Sequence, residues 1–464
     1  MKFHVATSLI LPFCLITGCQ IGTGGKDVPA VVLPASFSTG NTKWKRTSEP
    51  KLYTDAKWWS VFNDATLHQI ASQTAGQNLS LEAAAARLEE ARSLSKSARL
   101  ALIPSLNLNP SGVRSEVVIP VSPTPLRNEQ YSLPLELSYE VDMWGRLRKQ
   151  VAAADARTAA VQGSLYATRL SLTADAAQNY WSLRGIDADI ALVVESIALR
   201  KETLSLIESR FKAGTVTALD VSRAQSEVAS TEAELVGLQR DRALLVNALA
   251  VVSGNAAGKF SLTPQTDLPK PPRIPAGMPS ELLLRRPDLF LSERNVAAAN
   301  ADIGVSKAAF FPSFRLQATG GPNAFNLTDL LRAETIIYSL GYSISYPILG
   351  QKNLIAQKDA AVARHKAASA EYKQSILIAL RETEDALQAL HLLEQQEQKQ
   401  ENAVAAANQT LELSKQRFSA GLISFLDVVE AERQSLASKR LASNLRTQRL
   451  VITCNLIKAL GGSW

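Results

Sequence analysis

Side chains able to do chemistry are sparse in this chain of 464 residues, and their spacing excludes most reactions. Its four histidines are His4, His68, His365 and His391, and none stands close to a cysteine or another histidine, so no metal centre is expected. Asn255-Ala256-Ala257-Gly258-Lys259 after Gly254 superficially suggests a phosphate-cradling loop. It is one spacer short and continues with Phe260 where magnesium chemistry needs Ser or Thr, so it is set aside. No Gly-x-Ser-x-Gly nucleophile elbow occurs. No catalytic residue is therefore assigned. What remains is charge placed in pairs. Asp427 and Glu430 lie three apart, so one helix face can present both carboxylates. At the corresponding places 207 residues earlier stand Asp220 and Arg223, an acid and a base that could tie to each other. The plainer reading is a solvated helix start, where acids suit the N-terminal dipole.

A thiol is the other reactive group. Lys2 gives a short positive region, and residues 5–16 form an apolar stretch too short to span a bilayer. It ends in Leu15-Ile16-Thr17-Gly18-Cys19, which resembles a bacterial lipobox. That resemblance implies removal of residues 1–18, a diacylglycerol on the Cys19 sulfur and a palmitoyl group on its new amino end. An ordinary signal peptide is the alternative. Gln20, in place of the Asp that marks inner-membrane retention in many lipoproteins, favours the outer membrane. Cys14 leaves with the signal, so Cys454 is left alone and no intrachain disulfide is available. It sits in a helical apolar pattern and is expected to be a buried small hydrophobe.

The paired charges follow a motif that occurs twice. RFKAGTVTALDV at residues 210–221 returns as RFSAGLISFLDV at 417–428. Gly254 and Gly461, and Tyr131-Ser132-Leu133 and Tyr338-Ser339-Leu340, keep the same offset of 207. The chain is thus two copies of one unit, residues 57–254 and 286–464. Residues 19–56, rich in Gly, Thr, Ser and Pro, are expected to be a loose tether, and 255–285, with Pro264, Pro269, Pro271, Pro272, Pro275 and Pro279, an extended connector. A net charge of +7 with no compact basic run argues against nucleic acid as a partner.

Each unit alternates where it follows a proline-ended helix. In YSLPLELSYEVDM, residues 131–143, apolar side chains fall at every second place, and YSLGYSISYPI at 338–348 repeats this. Strict alternation gives strands with one apolar and one polar face. Soluble sandwiches have such strands too, but tyrosines along the apolar face and small hydroxyl residues opposite fit a barrel with lipid outside and water inside. Shorter alternations at Leu106/Leu108 and Phe314/Leu316/Ala318 add a partner strand to each half, with hairpin loops at 112–130 and 320–334. Proline-free stretches 145–211 and 351–418 read as helices, the first of ~100 Å if unbroken, with Gly185 as a possible break. Residues 216–252 carry a seam, Val221, Ala224, Val228, Thr231, Leu235, Leu238, Arg242, Leu245, Leu249 and Val252, whose spacing alternates three and four as in a coiled coil. Arg449 matches Arg242 in the copy. Four strands cannot close a barrel, which takes about eight or more, and lipid tolerates no open edge. Several copies must pool their strands.

At this point the chain resembles a known family. LLLRRPDLFLSERNVAAANADIGVSKAAFFPSF (282–314), WWSVFNDATLHQI (58–70), YEVDMWGRLR (139–148) and both RF-x-AG turns are similar to the TolC-like outer membrane efflux factors, in their lipoprotein, NodT-type branch. The resemblance implies a mainly α protein with a membrane β-barrel: a homotrimer with a 12-stranded barrel and a long periplasmic tunnel of coiled-coil helices. It implies an exit duct for small molecules in the outer membrane, lipid-anchored, working with a periplasmic adaptor and an inner-membrane pump of the RND type. The RF-x-AG turns would be the periplasmic tips, with Gly214 and Gly421 in the left-handed helix-ending conformation and Arg210 and Arg417 as adaptor contacts. Asp427 and Glu430 would ring the closed entrance, and an Asp220–Arg223 tie would help hold it shut. The rival readings are the exit duct of a type I protein secretion system and a lipid-anchored coiled-coil scaffold without a pore, which would need no alternating strands.

Overall fold

The structure, a computed structural model, describes Pro34, Phe37 and residues 57–117, 126–275 and 279–462. The signal segment 1–18, Cys19 and the rest of the tether lie outside the described residues. The described chain divides into two compact units that do not follow the sequence repeat, because each gathers stretches from both halves.

The first unit takes Glu90–Ala159 and Arg294–Ala370 and holds the sheet. Six strands are assigned: β1 (Ser105–Leu108), β2 (Ser111–Val117), β3 (Leu126–Ser132), β4 (Leu135–Val141), β5 (Ser313–Ala324) and β6 (Ile336–Ser345). They are the four expected strands, two of them interrupted. Pro110 and Pro134 lack the N–H that a ladder needs, yet the register passes through both. Ser105 pairs with Ser138 and Leu108 with Leu135 on one side of the gap, and Ser111 pairs with Ser132 on the other. The Asn109 amide bridges the gap by donating to the Pro134 carbonyl at 3.1 Å. The result is a four-strand antiparallel meander in which the first strand (β1–β2) and β6 are each paired on one side only among the described residues. The strands also reach further than expected. β2, β3 and β5 extend into the stretches read as loops, because Tyr131 pairs with Ala324 and residues 113–117 pair with 126–130. Gly321 is required in this unit: a Cβ there would lie 2.2 Å from the Leu133 carbonyl oxygen, beside the Pro134 interruption.

The second unit takes the described parts of Ala30–Glu89, Ala160–Glu293 and Glu371–Trp464. Its helices include α1 (Ala65–Gln77), α4 (Ala218–Val252), the short α5 (Leu282–Arg285) and α8 (Phe425–Ala459). Four more helices, α2 (Leu79–Leu100), α3 (Arg146–Lys212), α6 (Pro287–Ala308) and α7 (Gln351–Ser419), contribute residues to each unit. α3 runs unbroken through Gly185, the possible break. That glycine serves close helix packing, since a Cβ would sit 2.5 Å from Thr447 Oγ1 on α8. Every seam position of α4 is buried or half-buried, as is its copy in α8. The main core gathers Trp58, Trp59 and Phe62 from a 3-10 turn, Leu67 and Ile70 from α1, and Tyr180 and Trp181 from α3. Asp64 ties this together: one oxygen caps α1 at the Leu67 amide, 2.8 Å, and the other accepts from the Tyr180 hydroxyl, 2.7 Å. Burial, and then this bond to Asp64, push Tyr180 up to about 12. Cys454 is fully buried, and burial alone raises its thiol.

One described residue of the tether and three of the extended connector are packed into cores. Phe37, in the tether, is buried against Leu282, Leu456 and Leu460. The connector contributes Leu268, Leu262 and Ile274 to the aromatic cores.

Candidate functional site

The sheet's two faces can be followed strand by strand. Residues opposite one another share a face, so the register builds rows. Leu106, Leu137, Ala318 and Leu340 form one row, with Leu108, Leu135, Gly320 and Tyr338 above it and Tyr139, Leu316 and Tyr342 below. The other face carries Ser105, Ser138, Gln317 and Gly341, then Asn107, Glu136, Thr319 and Ser339, then Glu140, Arg315 and Ser343. One face is oil and the other is water-compatible. Leu106, Leu108, Tyr338, Leu340, Tyr342 and Ile344 are all exposed, an arrangement that would be unfavourable in water and is favourable against acyl chains. The apolar rows run from Val141 to Tyr131, ~33 Å of strand. At a tilt of ~40° they cover ~25 Å, the height of an outer-membrane apolar band. Beyond Tyr131 the same face turns charged, with Arg114 and Glu129 at 3.3 Å and Arg127 and Glu116 at 3.3 Å. On the polar face Glu140 accepts from Arg146 at 2.7 Å.

The hairpin turns of the second unit hold the charged candidates. Gly214 and Gly421 both have the left-handed backbone expected of a helix end, φ +69° and +76°. In each turn the residue after the glycine donates its amide back five residues, Thr215 to Arg210 and Leu422 to Arg417, both 2.9 Å. Both turns then start a helix with the same device. Asp220 Oδ2 accepts from the Thr217 amide (2.9 Å) and hydroxyl (2.7 Å), and Asp427 Oδ2 accepts from the Ser424 amide (2.9 Å) and hydroxyl (2.8 Å). Capping boxes of this kind satisfy the orphan amides of a first turn. The expected Asp220–Arg223 tie is not formed among the described residues. Asp220 is turned onto Thr217, whose amide and hydroxyl hold its carboxyl below the usual range, and Arg223 adds only a weaker distant attraction. Asp427, Glu430 and Arg223 are exposed.

Sequence reasoning missed two features of the tips. Arg210 lays its guanidinium over the Phe418 ring, 4.5 Å from the centroid, so the two turns are joined within the chain. Both residues stand in the quoted RF dipeptides, but nothing in sequence says which Arg meets which Phe. Glu432 is buried near the tips, where burial raises its carboxyl against the pull of Lys415. Below the tips, α8 is bonded to α4 by Arg433–Glu227 and Arg440–Glu234.

The motifs behind the resemblance are structural. In the WG turn Trp144 stacks on Phe311 at 4.8 Å and donates to the Pro312 carbonyl at 2.8 Å, while Asp142 caps α3 at the Leu147 and Arg148 amides, both 3.0 Å. In the RRPD segment Arg286 is buried, and it binds Asp288 (2.7 Å), Glu382 (2.8 Å) and the Ala459 carbonyl (3.0 Å). No helix among the described residues is long and apolar enough to cross a membrane.

A family model, OEP: Outer membrane efflux protein, matches residues 70–255 and 278–462, one segment in each half. The chain is 31% identical to the toluene efflux pump outer membrane protein TtgF of Pseudomonas putida, over 100% of this chain and 98% of that one. It is 28% identical to the cation efflux system protein CusC of Escherichia coli, over 98% of each. Its fold matches the solved outer-membrane channel OprN with a TM-score of 0.85 at 28% identity, covering 94% of this chain and 99% of that one. With the two-faced open sheet and the twice-used hairpin, these matches show that the chain belongs to the outer membrane efflux protein family.

Proposed function

We propose that three copies of this chain join sheet edge to sheet edge into a 12-stranded barrel, and that the assembly is the exit duct of a tripartite efflux pump. The observation that carries it is the open meander with an apolar face, a polar face and two edges unpaired among the described residues. In lipid every strand edge must find a partner, and an identical copy supplies one with matching faces. The copy number follows the family. A periplasmic adaptor and an inner-membrane pump of the RND type supply energy and cargo, and the duct conducts small molecules passively. The relatives' names give different cargoes, toluene and cations, at similar identity. We therefore place cargo choice in the pump. Cys19 carries the lipid anchor in this reading, and the capping carboxylate Asp427 with Glu430 forms a ring at the closed entrance that favours cations.

Purified, acylated protein should migrate as an oligomer on unheated gels and open steady conductance in planar bilayers. A protein that stays monomeric and never permeabilises vesicles would overturn the duct. Replacing Asp427 and Glu430 together with Ala should raise single-channel conductance and weaken cation selectivity; unchanged values would remove the ring while leaving the duct intact.

A further inference from the structure

The repeat contains one tip contact that the single chain makes once where its symmetry allows two. Arg210, from the first half, stacks on Phe418 from the second and donates to its main-chain oxygen at 3.4 Å. Phe418 is only 7% exposed and is surrounded by Ile207, Phe425, Val428 and Val429. Exchanging the halves at the offset of 207 gives the corresponding pair, Arg417 and Phe211. Both stand open. Phe211 is 46% exposed, Arg417 is exposed, and neither has a hydrogen bond, ion pair or ring contact through its side chain among the described residues. Leu219 in the first hairpin, and Leu422 and Leu426 in the second, are exposed as well.

We infer that Arg417 of one copy stacks on the partner's Phe211, so that the chain-internal Arg210–Phe418 contact alternates with a like contact between copies around the tip. This rests on the oligomer proposed above. The contact is heterologous, first-half Phe to second-half Arg, and such a contact closes into a ring when the rotation between copies closes. A second copy is the occupant because it alone brings, in one rigid turn, the complementary half of a contact this chain already forms. An Arg guanidinium suits a phenyl face, and the pairing covers apolar surface that water otherwise meets. It also leaves neither Arg210 nor Arg417 free for the adaptor, which would instead read the glycine turns and Leu422.

The test is cross-linking of the full-length oligomer with a short bis-maleimide in the absence of adaptor. Cys454 is fully buried and stays silent. The pair Arg417→Cys/Phe211→Cys should give covalent oligomers, and Arg210→Cys/Phe418→Cys should give only chain-internal bridges at monomer mass; single variants should give neither. If the 417/211 pair assembles on unheated gels yet yields single chains, the inference falls and the duct stands. If the unsubstituted protein is itself monomeric, the duct falls first and this contact with it. Should the cysteine pair fail to assemble, a double-mutant cycle of oligomer dissociation temperature with Arg417→Gln and Phe211→Leu decides. Non-additive losses are expected. Additive ones, or loss of adaptor binding in Arg417→Gln at unchanged dissociation temperature, would overturn the contact.

Discussion

The two halves place an arginine at the same seam position and then treat it differently. In the first half Arg242 binds Asp187 at 2.6 Å, and Arg184 closes on the same carboxylate at 2.9 Å. The connector seals the site, with the carbonyls of Leu262 and Thr263 and the amide of Gln265 completing the bonds. Asp187 is 0% exposed. In the second half Arg449 meets Glu394, the copy of Asp187, but Glu394 is 56% exposed. Arg449 leans instead on Glu397, which Arg446 also binds. The residue matching Arg184 is His391, exposed and, among the described residues, bonded only to Gln395. Duplication thus fixes where the charge sits, while a segment outside the repeat decides whether it is dry. Glu397 is itself buried, but its arginines keep two exposed carboxylates, Glu394 and Glu401, whereas among the described residues Arg184 and Arg242 have only the carboxylate of Asp187.

The comparison breaks first at Asp187. Asp187→Ala strands two guanidinium groups in the core and should cost about 3–5 kcal/mol, read as a fall in the thermal unfolding midpoint in detergent. Glu397→Ala should cost less, about 1–3 kcal/mol, because Arg446 and Arg449 keep Glu401 and Glu394; an equal loss would show that the connector seals nothing. Next come positions where the halves agree. Gly254 and Gly461 both have left-handed φ, +79° and +86°, and a Cβ would lie 2.5 Å from the Gln77 oxygen and 2.8 Å from the Arg285 oxygen. Gly254→Ala and Gly461→Ala should each lose about 1–3 kcal/mol, and a large disparity between them would deny equivalence. Thr217→Ala and Ser424→Ala remove matching caps and should each cost about 1 kcal/mol.

The smallest effect is one of pH. Burial pushes the Glu397 carboxyl up, but the bonds from Arg449 and Arg446 outweigh it, so its folded value lies below the ordinary one. Its contribution is then fully present above the unfolded glutamate value of about 4.3 and is lost as pH falls through the lower folded value. The stability gap between wild type and Glu397→Gln should be constant near neutrality and close in acid. A gap that widens on acidification would contradict the assignment.

What sequence made legible was whatever repeats or alternates. The 207-residue offset, the proline-ended helices, the two-faced strands and the glycine turns all rest on local rules. Less legible was anything set by distant partners. Alternation fades at residues 113–117 and 126–130, yet they pair, because ladder bonds follow the backbone once Tyr131 and Gly112 are in register. Gly185 looked like a weakness in a helix, and only Thr447 across the interface explains it. At the tips the RF dipeptides were visible, but a sequence cannot say that Arg210 would find Phe418 while Phe211 stays bare. Spacing allows Asp220 to reach Arg223, three residues on, but Thr217, three residues back, offers both an amide and a hydroxyl to the same carboxylate oxygen and holds it.

The unpaired first strand and β6 also bear on how the protein is made. A newly exported subunit is a ready template for any extended peptide it meets, and its greasy rows invite clumping. Biogenesis is therefore a race between finding its own kind and being captured by something else. Holding chaperones and modest synthesis rates favour the first outcome, and overproduction should shift the product towards aggregates well before it harms the finished assembly.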